Sequence, residues 1–87
     1  MAIIKKKITP EYFELVQSGK KNFEFRVADF DIKEGDTLIL QEWDSKAKKY
    51  TGREIVKKVG YMAKFNLDSF NQRELLEKHG FYVIQLV

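Results

Sequence analysis

This chain of 87 residues contains no cysteine, one histidine and one proline. Without cysteine it forms no disulfide bond and offers no thiolate to a metal ion, a composition typical of proteins in a reducing cytosol. A single histidine, His79, leaves too few imidazole ligands for a histidine-based metal site. We therefore expect no metal ion, no cofactor and a cytoplasmic location.

Long apolar stretches are missing as well. No apolar run approaches the ~20 residues of a membrane-spanning helix, so no membrane association is expected. The first residues place three lysines after the apolar positions, an order that does not match a secretory signal. Linkers, repeats and low-complexity segments are also absent from the sequence. Residues 1–87 are therefore expected to form a single domain.

Aromatic and charged side chains are plentiful by contrast. Seven Phe, four Tyr and one Trp give this small domain additional apolar area to bury. Sixteen lysine and arginine residues against thirteen acidic residues give a net charge of +3. A mildly basic chain fits a polyanionic partner such as nucleic acid, and a net charge of this size also serves solubility alone.

Residues 9–19 carry the signals of a short helix. Thr9 can cap its start, Pro10 suits the first helical position, and Gly19 ends the helix in a left-handed turn. Residues at helical spacing are expected to form its inward-facing stripe: Tyr12, Leu15 and Val16. A second helix is predicted over residues 71–78, ended by Gly80.

Five further segments have the composition of β-strands, and the expected order of elements is β-α-β-β-β-α-β. The strands are predicted at residues 2–8, 22–27, 37–43, 51–62 and 81–86. A solvated hairpin loop over residues 44–50 joins the third and fourth strands. Five short strands and two short helices predict a mainly β, α+β fold, with a strongly curved sheet or a small, partly open β-barrel.

The strand predicted at residues 22–27 sorts its side chains onto two faces. Its aromatic residues at alternate positions are expected to face the core. The opposite face is expected to carry Glu24 and Arg26, with Lys21 at the entrance of the strand. Such a row of charges is either a surface ion pair that contributes ~0–1 kcal/mol, or the lining of a ligand cleft.

Gly19, Lys21, Glu24 and Arg26 stand at the spacing G-x-K-x-x-[ET]-x-R, and the segment resembles the signature of ASCH domains, relatives of the PUA-like RNA-binding barrels. The resemblance, to a branch of small, uncharacterised single-domain ASCH-like proteins, extends to residues 10–13, 35–36, 42–44 and 50–54. It implies a PUA-like β-barrel with a cleft beside the first helix, lined by the signature residues.

The resemblance also implies a ligand, namely RNA or a modified nucleoside. We expect an RNA- or nucleotide-binding module for single-stranded RNA, a nucleoside or a nucleotide. Its contacts are expected from six residues: Lys21, Glu24, Arg26, Arg53, Tyr61 and Trp43. Arginine offers a planar donor fork for phosphate or a base edge, and an aromatic ring can stack on an unpaired base for ~1–3 kcal/mol. The aromatic residues can equally pack in the core.

Two other functions stay open at this point. One enzyme of the family removes acetyl groups from acetylcytidine with the signature lysine as a catalytic residue. The resemblance thus implies an amidohydrolase that works with Lys21 and Glu24, although Glu24 stands where that enzyme has a threonine. The second is a protein-interaction adaptor whose cleft is structural. The lysine clusters at residues 5–7, 46–49 and 57–58 are either solvated edges of the sheet or contacts to phosphate groups. The sequence contains no signature of a particular oligomeric state.

Overall fold

Three strands and two helices make up the protein in a computed structural model that describes residues 1–86. The elements in chain order are β1 (Ile3–Ile8), α1 (Pro10–Gln17), β2 (Thr37–Asp44), β3 (Lys49–Lys58) and α2 (Arg73–His79). The fold is therefore α+β, as expected. No helix within residues 1–86 has the length and hydropathy to cross a membrane.

The sheet has the order β1-β2-β3, with β2 at its centre. Strand β1 pairs in parallel with β2, which places Ile8 opposite Glu42, and β3 pairs antiparallel with β2. The register of the β2–β3 pair shifts between Gln41 and Trp43. Gly52 lies opposite this irregularity with φ at 96°, a left-handed conformation that glycine adopts without strain.

Helix α1 forms the crossover that two parallel strands require. The Phe13 N–H donates to the Thr9 carbonyl at 2.8 Å, which closes the first helical turn. Phe13 and Val16 point from the helix onto the sheet and are buried against Ile8 and Leu40. Each such side chain contributes about 1.5–3 kcal/mol to folding when fully buried. The core therefore lies between α1 and one face of the sheet.

The strands predicted at residues 22–27 and 81–86 were wrong as strands, because neither forms a ladder within the described chain. They contact each other through the rings of Phe25 and Phe81, whose centroids lie 5.1 Å apart, and through an Asn22 N–H that donates to the Gln85 side chain. Ring and side-chain contacts hold this pair without backbone pairing. The sheet consequently keeps two edges and does not close into a barrel.

The aromatic face predicted as core at residues 22–27 is also largely outside the core. Phe25 is 61% exposed and Val27 is 79% exposed. Alternation of apolar and polar residues buries one face only when a sheet supplies a surface to pack against. Because residues 22–27 do not join the sheet, Phe23 and Phe25 line an open cleft instead.

The remaining boundaries agree with the prediction except in β3, which was predicted over residues 51–62 but ends at Lys58. Strands β1 and β2 lie within one residue of the predicted ranges, and α2 ends at Gly80 as expected. The loop predicted over residues 44–50 is shorter, because β3 already begins at Lys49. The Asp44 carboxylate accepts the N–H groups of Lys46 and Ala47 at 2.9 and 3.1 Å, and this Asx-type turn closes the hairpin early.

Candidate ligand-binding cleft

The cleft begins where helix α1 ends. Gly19 has φ at 81° and its N–H donates to the Val16 carbonyl at 3.1 Å, which turns the chain back on the helix. The Lys21 N–H then donates to the Leu15 carbonyl at 2.9 Å. These two hydrogen bonds fix the backbone of Lys21 against the last helical turn.

The importance of this turn can be measured by substitution. Gly19→Ala is expected to destabilise the protein by about 1–2 kcal/mol, because an alanine in the left-handed region is strained. A methyl group at Gly19 would contact no other atom within 4 Å, so the cost is purely conformational. Gly19→Asn is the matched control and should cost clearly less, since asparagine tolerates this conformation. If urea denaturation gave the same loss of unfolding free energy for Gly19→Ala and Gly19→Asn, the left-handed turn would not be what stabilises this segment.

Lys21, Glu24 and Arg26 form one hydrogen-bonded cluster, as the sequence predicts. The Lys21 ammonium donates to Glu24 Oε1 at 3.0 Å, and Arg26 Nε donates to Glu24 Oε2 at 2.8 Å. Lys21 also donates to the Phe23 carbonyl at 2.7 Å. The side chains are 15%, 20% and 31% exposed in sequence order, which leaves them partly accessible to a ligand. Two cations around one carboxylate give the cluster a net charge of +1.

Arg26 also joins the cluster to the sheet. Its Nη2 donates to the Lys7 carbonyl on the free edge of β1, at 2.9 Å. A side-chain donor therefore occupies the place where a neighbouring strand would otherwise pair. Within residues 1–86, Nη1 of Arg26 has no hydrogen-bond partner. The guanidinium is thus held by two groups and keeps donors for a third.

The cluster lies at the polar end of a cleft of about 660 Å³ beside α1. This volume is in the usual range of small-molecule sites, ~300–1,000 Å³. The apolar side chains that line it come from the end of β1, from the helix and from the two contacting segments: Ile8, Tyr12, Leu15, Phe23, Phe25, Phe81 and Val83. The Lys21 ammonium lies 5.5 and 4.9 Å from the Tyr12 and Phe23 ring centroids, so the cation also faces aromatic rings.

Sequence reasoning missed most of this wall. Tyr12 was predicted in the inward stripe of α1 but is 51% exposed at the cleft, whereas Phe13 beside it is buried. Phe25 was predicted in the core, and Phe81 in a covered strand. Helical spacing identified the apolar residues of α1, but it did not tell the sheet-facing side from the cleft-facing side.

A second hollow, of about 420 Å³, lies at the start of α2. Its charged residues already satisfy each other, since Arg73 donates to both Asp68 carboxylate oxygens at 2.8 Å. This pair lowers the pKa of Asp68, chiefly through the hydrogen bond from Arg73. A closed ion pair offers few free groups, so the cleft beside α1 is the better candidate site.

Arg53 lies outside the cleft lining, between α1 and the sheet. Its guanidinium donates to Glu42 Oε1 at 2.8 Å and to Oε2 at 2.7 Å, and it reaches Glu14 on the helix at 2.8 Å. It also lies 4.4 Å from the Phe13 ring centroid. These contacts give Arg53 a structural role: it neutralises a buried carboxylate and ties α1 to the sheet.

Glu42 is the buried acid of this arrangement, at 3% exposure. Hydrogen bonds from Arg53, and then from the Thr51 hydroxyl at 2.6 Å, lower the pKa of Glu42 below its ordinary value of 4.5. The same contact raises the pKa of Arg53 above its ordinary value. A second buried acid, Asp36, accepts the N–H groups of Ala2 and Lys33 at 3.0 Å. Mainly because of the Ala2 hydrogen bond, its pKa lies below the ordinary 3.8.

Acid should therefore weaken the fold. Both carboxyls have lowered pKa values when folded, so below pH ~4.5 the unfolded chain binds more protons than the folded chain. Their stabilisation is fully present above the ordinary pKa values and is lost as the pH falls through the folded ones. We expect a nearly constant melting temperature from pH 8 to ~5 and a steady fall below ~4.5. An unchanged melting temperature at pH 3 would contradict the lowered pKa values of Asp36 and Glu42.

Trp43 and Tyr61 also lie away from the cleft lining. Trp43 packs edge-on against Tyr50 with ring centroids 4.9 Å apart, and the Lys7 ammonium lies 3.8 Å from its ring. Tyr61 follows β3 and is 90% exposed. Three of the six predicted contact residues therefore share the cleft, while Arg53, Trp43 and Tyr61 do not.

In the part of the chain described, no group of three or more His, Asp or Glu side chains is placed to hold a metal ion.

Comparison with known proteins places these features in a family. The family model of a domain of unknown function, DUF3850, matches residues 3–74, which include the sheet, α1 and the Lys21–Glu24–Arg26 cluster. An uncharacterised 12.9 kDa protein in the GpA 3′ region of Escherichia phage P2 is 47% identical over 49 residues. This match spans 56% of the chain and 43% of that relative, less than half its length. No solved structure matches the chain.

Proposed function

The chain belongs to the family of the domain of unknown function DUF3850, and we propose that it is an RNA- or nucleotide-binding module. The site is the cleft beside α1. Arg26 and Lys21 bind a phosphate group there, Glu24 holds the two cations in place, and the apolar wall receives a base.

The observation that carries this proposal is the saturation of Glu24. Both of its carboxylate oxygens already accept charged donors, Oε1 from Lys21 and Oε2 from Arg26. The polar groups of the cluster that still face the cleft are therefore N–H donors with a net positive charge. Such groups favour an anionic ligand, and the planar guanidinium fork suits the oxygen geometry of a phosphate.

The wall of the cleft supports a planar, aromatic ligand group next to that phosphate. Tyr12 and Phe25 are 51% and 61% exposed, so their rings are available for contact. Stacking of a base on an aromatic ring contributes ~1–3 kcal/mol and does not depend strongly on which base it is. A nucleotide combines both chemistries: an anion for the cluster and a flat ring for the wall.

The relation to ASCH domains and their barrel is part of this proposal. The spacing of Gly19, Lys21, Glu24 and Arg26 supports the relation. Residues 22–27 and 81–86 lie side by side, and they are the two segments that would complete a partly open, five-stranded barrel if they paired through their backbones. A chain without cysteine needs no oxidising compartment, and we place its function in the cytoplasm.

The Lys21 contacts favour binding over amide hydrolysis. A lysine acts as a nucleophile or base through the lone pair of its neutral amine. The Lys21 nitrogen instead donates to the Phe23 carbonyl and the Glu24 carboxylate at 2.7 and 3.0 Å, so it is held by neighbouring protein groups rather than directed at a substrate carbonyl. We therefore expect no turnover of acetylcytidine, even after long incubation at high protein concentration. Product formation that Lys21→Ala abolishes would favour the amidohydrolase instead.

A salt titration tests the proposed function. Binding of a fluorescently labelled single-stranded RNA, followed by anisotropy, should weaken as salt rises. The log–log slope should be about −0.7 for each phosphate neutralised. If Arg26 binds one phosphate in the cleft, Arg26→Ala should reduce the magnitude of this slope by about 0.7, the contribution of one phosphate. Lack of binding at low salt, or an unchanged slope in Arg26→Ala, would contradict an RNA site at the cluster.

A further inference from the structure

Among residues 1–86, helix α1 packs on one face of the sheet and leaves the other face open. Helix α1 packs against the face that contains the buried Ile8, Leu40 and Glu42. Side chains alternate along each strand, so the neighbouring positions project from the opposite face. We call this surface the open sheet face, and its polar and aromatic members include Lys5, Lys7, Trp43, Tyr50, Glu54 and Lys58. Its rim is accessible: Val56 on β3 is 64% exposed and Tyr50 is 47% exposed.

Cations dominate the open sheet face. The parallel register sets Lys5 beside Ile39 and Lys7 beside Gln41, and the antiparallel register places Lys58 beside Thr37. Glu54, opposite Gln41, is the one acidic residue among the strand positions of this face. Three lysines against one glutamate give a surface of charge +2, complementary to a phosphate backbone.

Aromatic rings accompany these cations. Trp43 and Tyr50 form an edge-to-face pair with centroids 4.9 Å apart at the hairpin end of the sheet. The Lys7 ammonium lies 3.8 Å from the Trp43 centroid and 5.8 Å from the Tyr50 centroid. Aromatic rings next to lysines are the arrangement that binds single-stranded nucleic acid without strong sequence preference.

Lys7 connects this surface to the cleft. Its carbonyl oxygen accepts the Arg26 Nη2 donor on the cleft side of β1, while its ammonium lies over Trp43 on the open sheet face. One residue of an edge strand thus contacts the phosphate-binding cluster through its backbone and the aromatic pair through its side chain. The two surfaces therefore meet at Lys7.

We propose that the ligand is a single-stranded oligonucleotide rather than a free nucleotide. It occupies the cleft with one nucleotide and continues over the edge of β1 onto the open sheet face. There the bases stack on Tyr50 and Trp43, and Lys5, Lys7 and Lys58 neutralise phosphates. The inference rests on the proposed function of the cleft, and it adds a polymer as the ligand class and a second contact surface.

Trp43 is the sole tryptophan of the chain, so its fluorescence reports directly on the open sheet face. The probes are UMP and oligouridylates of about three and about nine residues, at low salt. UMP should shift cleft amides in NMR spectra and leave the tryptophan emission unchanged. The longest oligonucleotide should quench the emission and bind more tightly. Tyr50→Ala should weaken its binding by about 5- to 100-fold, the effect of one lost stacking contact, and leave UMP binding unchanged.

Lys7→Gln and Lys46→Gln form a matched pair for the charge contribution, since Lys46 lies in the hairpin turn away from the cleft. Lys7→Gln should weaken oligonucleotide binding and reduce the magnitude of the log–log salt slope by about 0.7. Lys46→Gln should change neither the affinity nor the slope. Cleft shifts without tryptophan quenching would overturn this inference and leave the proposed function standing. Equal losses in both lysine variants would also overturn it, and no response to any probe would overturn both proposals.

Discussion

Replacing Glu42 with alanine is expected to lower the melting temperature by roughly 10 °C or more, the largest stability effect that the structure predicts for a polar residue. The side chain is 3% exposed and accepts three hydrogen bonds, two from Arg53 and one from the Thr51 hydroxyl. Alanine would remove two of the three acceptor contacts of the guanidinium and the acceptor of the hydroxyl, and it would open a cavity between α1 and the sheet. Differential scanning calorimetry measures the loss.

Glu14→Ala is the control for this prediction, because Glu14 contacts the same guanidinium from the exposed side of α1. Its side chain is 61% exposed, and an exposed ion pair contributes little. We expect its melting temperature to stay within about 2 °C of the parent. Similar losses for Glu14→Ala and Glu42→Ala would show that burial of the carboxylate is not what makes this contact important.

Arg26→Ala is expected to weaken RNA binding by at least ~10-fold, the largest functional effect of a single substitution. A charge-assisted hydrogen bond contributes ~1.5–3 kcal/mol, and 1.4 kcal/mol is tenfold in affinity. The variant also removes the donor to Glu24 Oε2 and to the Lys7 carbonyl. A negatively charged oxygen and a carbonyl oxygen are then left beside an anionic ligand. Anisotropy with labelled RNA at fixed salt measures the change.

Lys48→Ala is the matched control for Arg26→Ala, because it removes the same charge from the hairpin turn rather than from the cleft. Lys48 has φ at 53°, and a glycine variant at this position provides a second control free of left-handed strain. We expect either change to alter affinity by less than ~2-fold at moderate salt. Equal losses for Arg26 and Lys48 variants would reduce the binding to a nonspecific charge effect.

The sequence predicted the parts of the fold that depend on local signals. Helix α1 has its proline at the start and Gly19 in a left-handed turn at the end, and both are present as predicted. The Lys21–Glu24–Arg26 cluster was predictable for the same reason, since its members lie within six positions of one another. Short-range geometry brings such residues together with little contribution from the rest of the chain.

The failures concern contacts between distant segments. Residues 22–27 alternate like a strand, yet the edge of β1 that they approach is occupied by the Arg26 guanidinium. Arg53 was expected at the ligand, but the register shift opposite Gly52 brings it to Glu42 on the buried face. The contact between Lys7 and Trp43 depends on the parallel register of β1 and β2, which no local pattern encodes.

The most direct test of the central claim is a two-dimensional amide NMR titration with short single-stranded RNAs, followed by cytidine and acetylcytidine. The account predicts that the largest shifts fall on residues 21–26 and on the facing end of α1, and that they disappear in Arg26→Ala. Shifts confined to the lysines at residues 46–49 and 57–58, or no shifts with any of these ligands, would contradict a nucleotide site in the cleft.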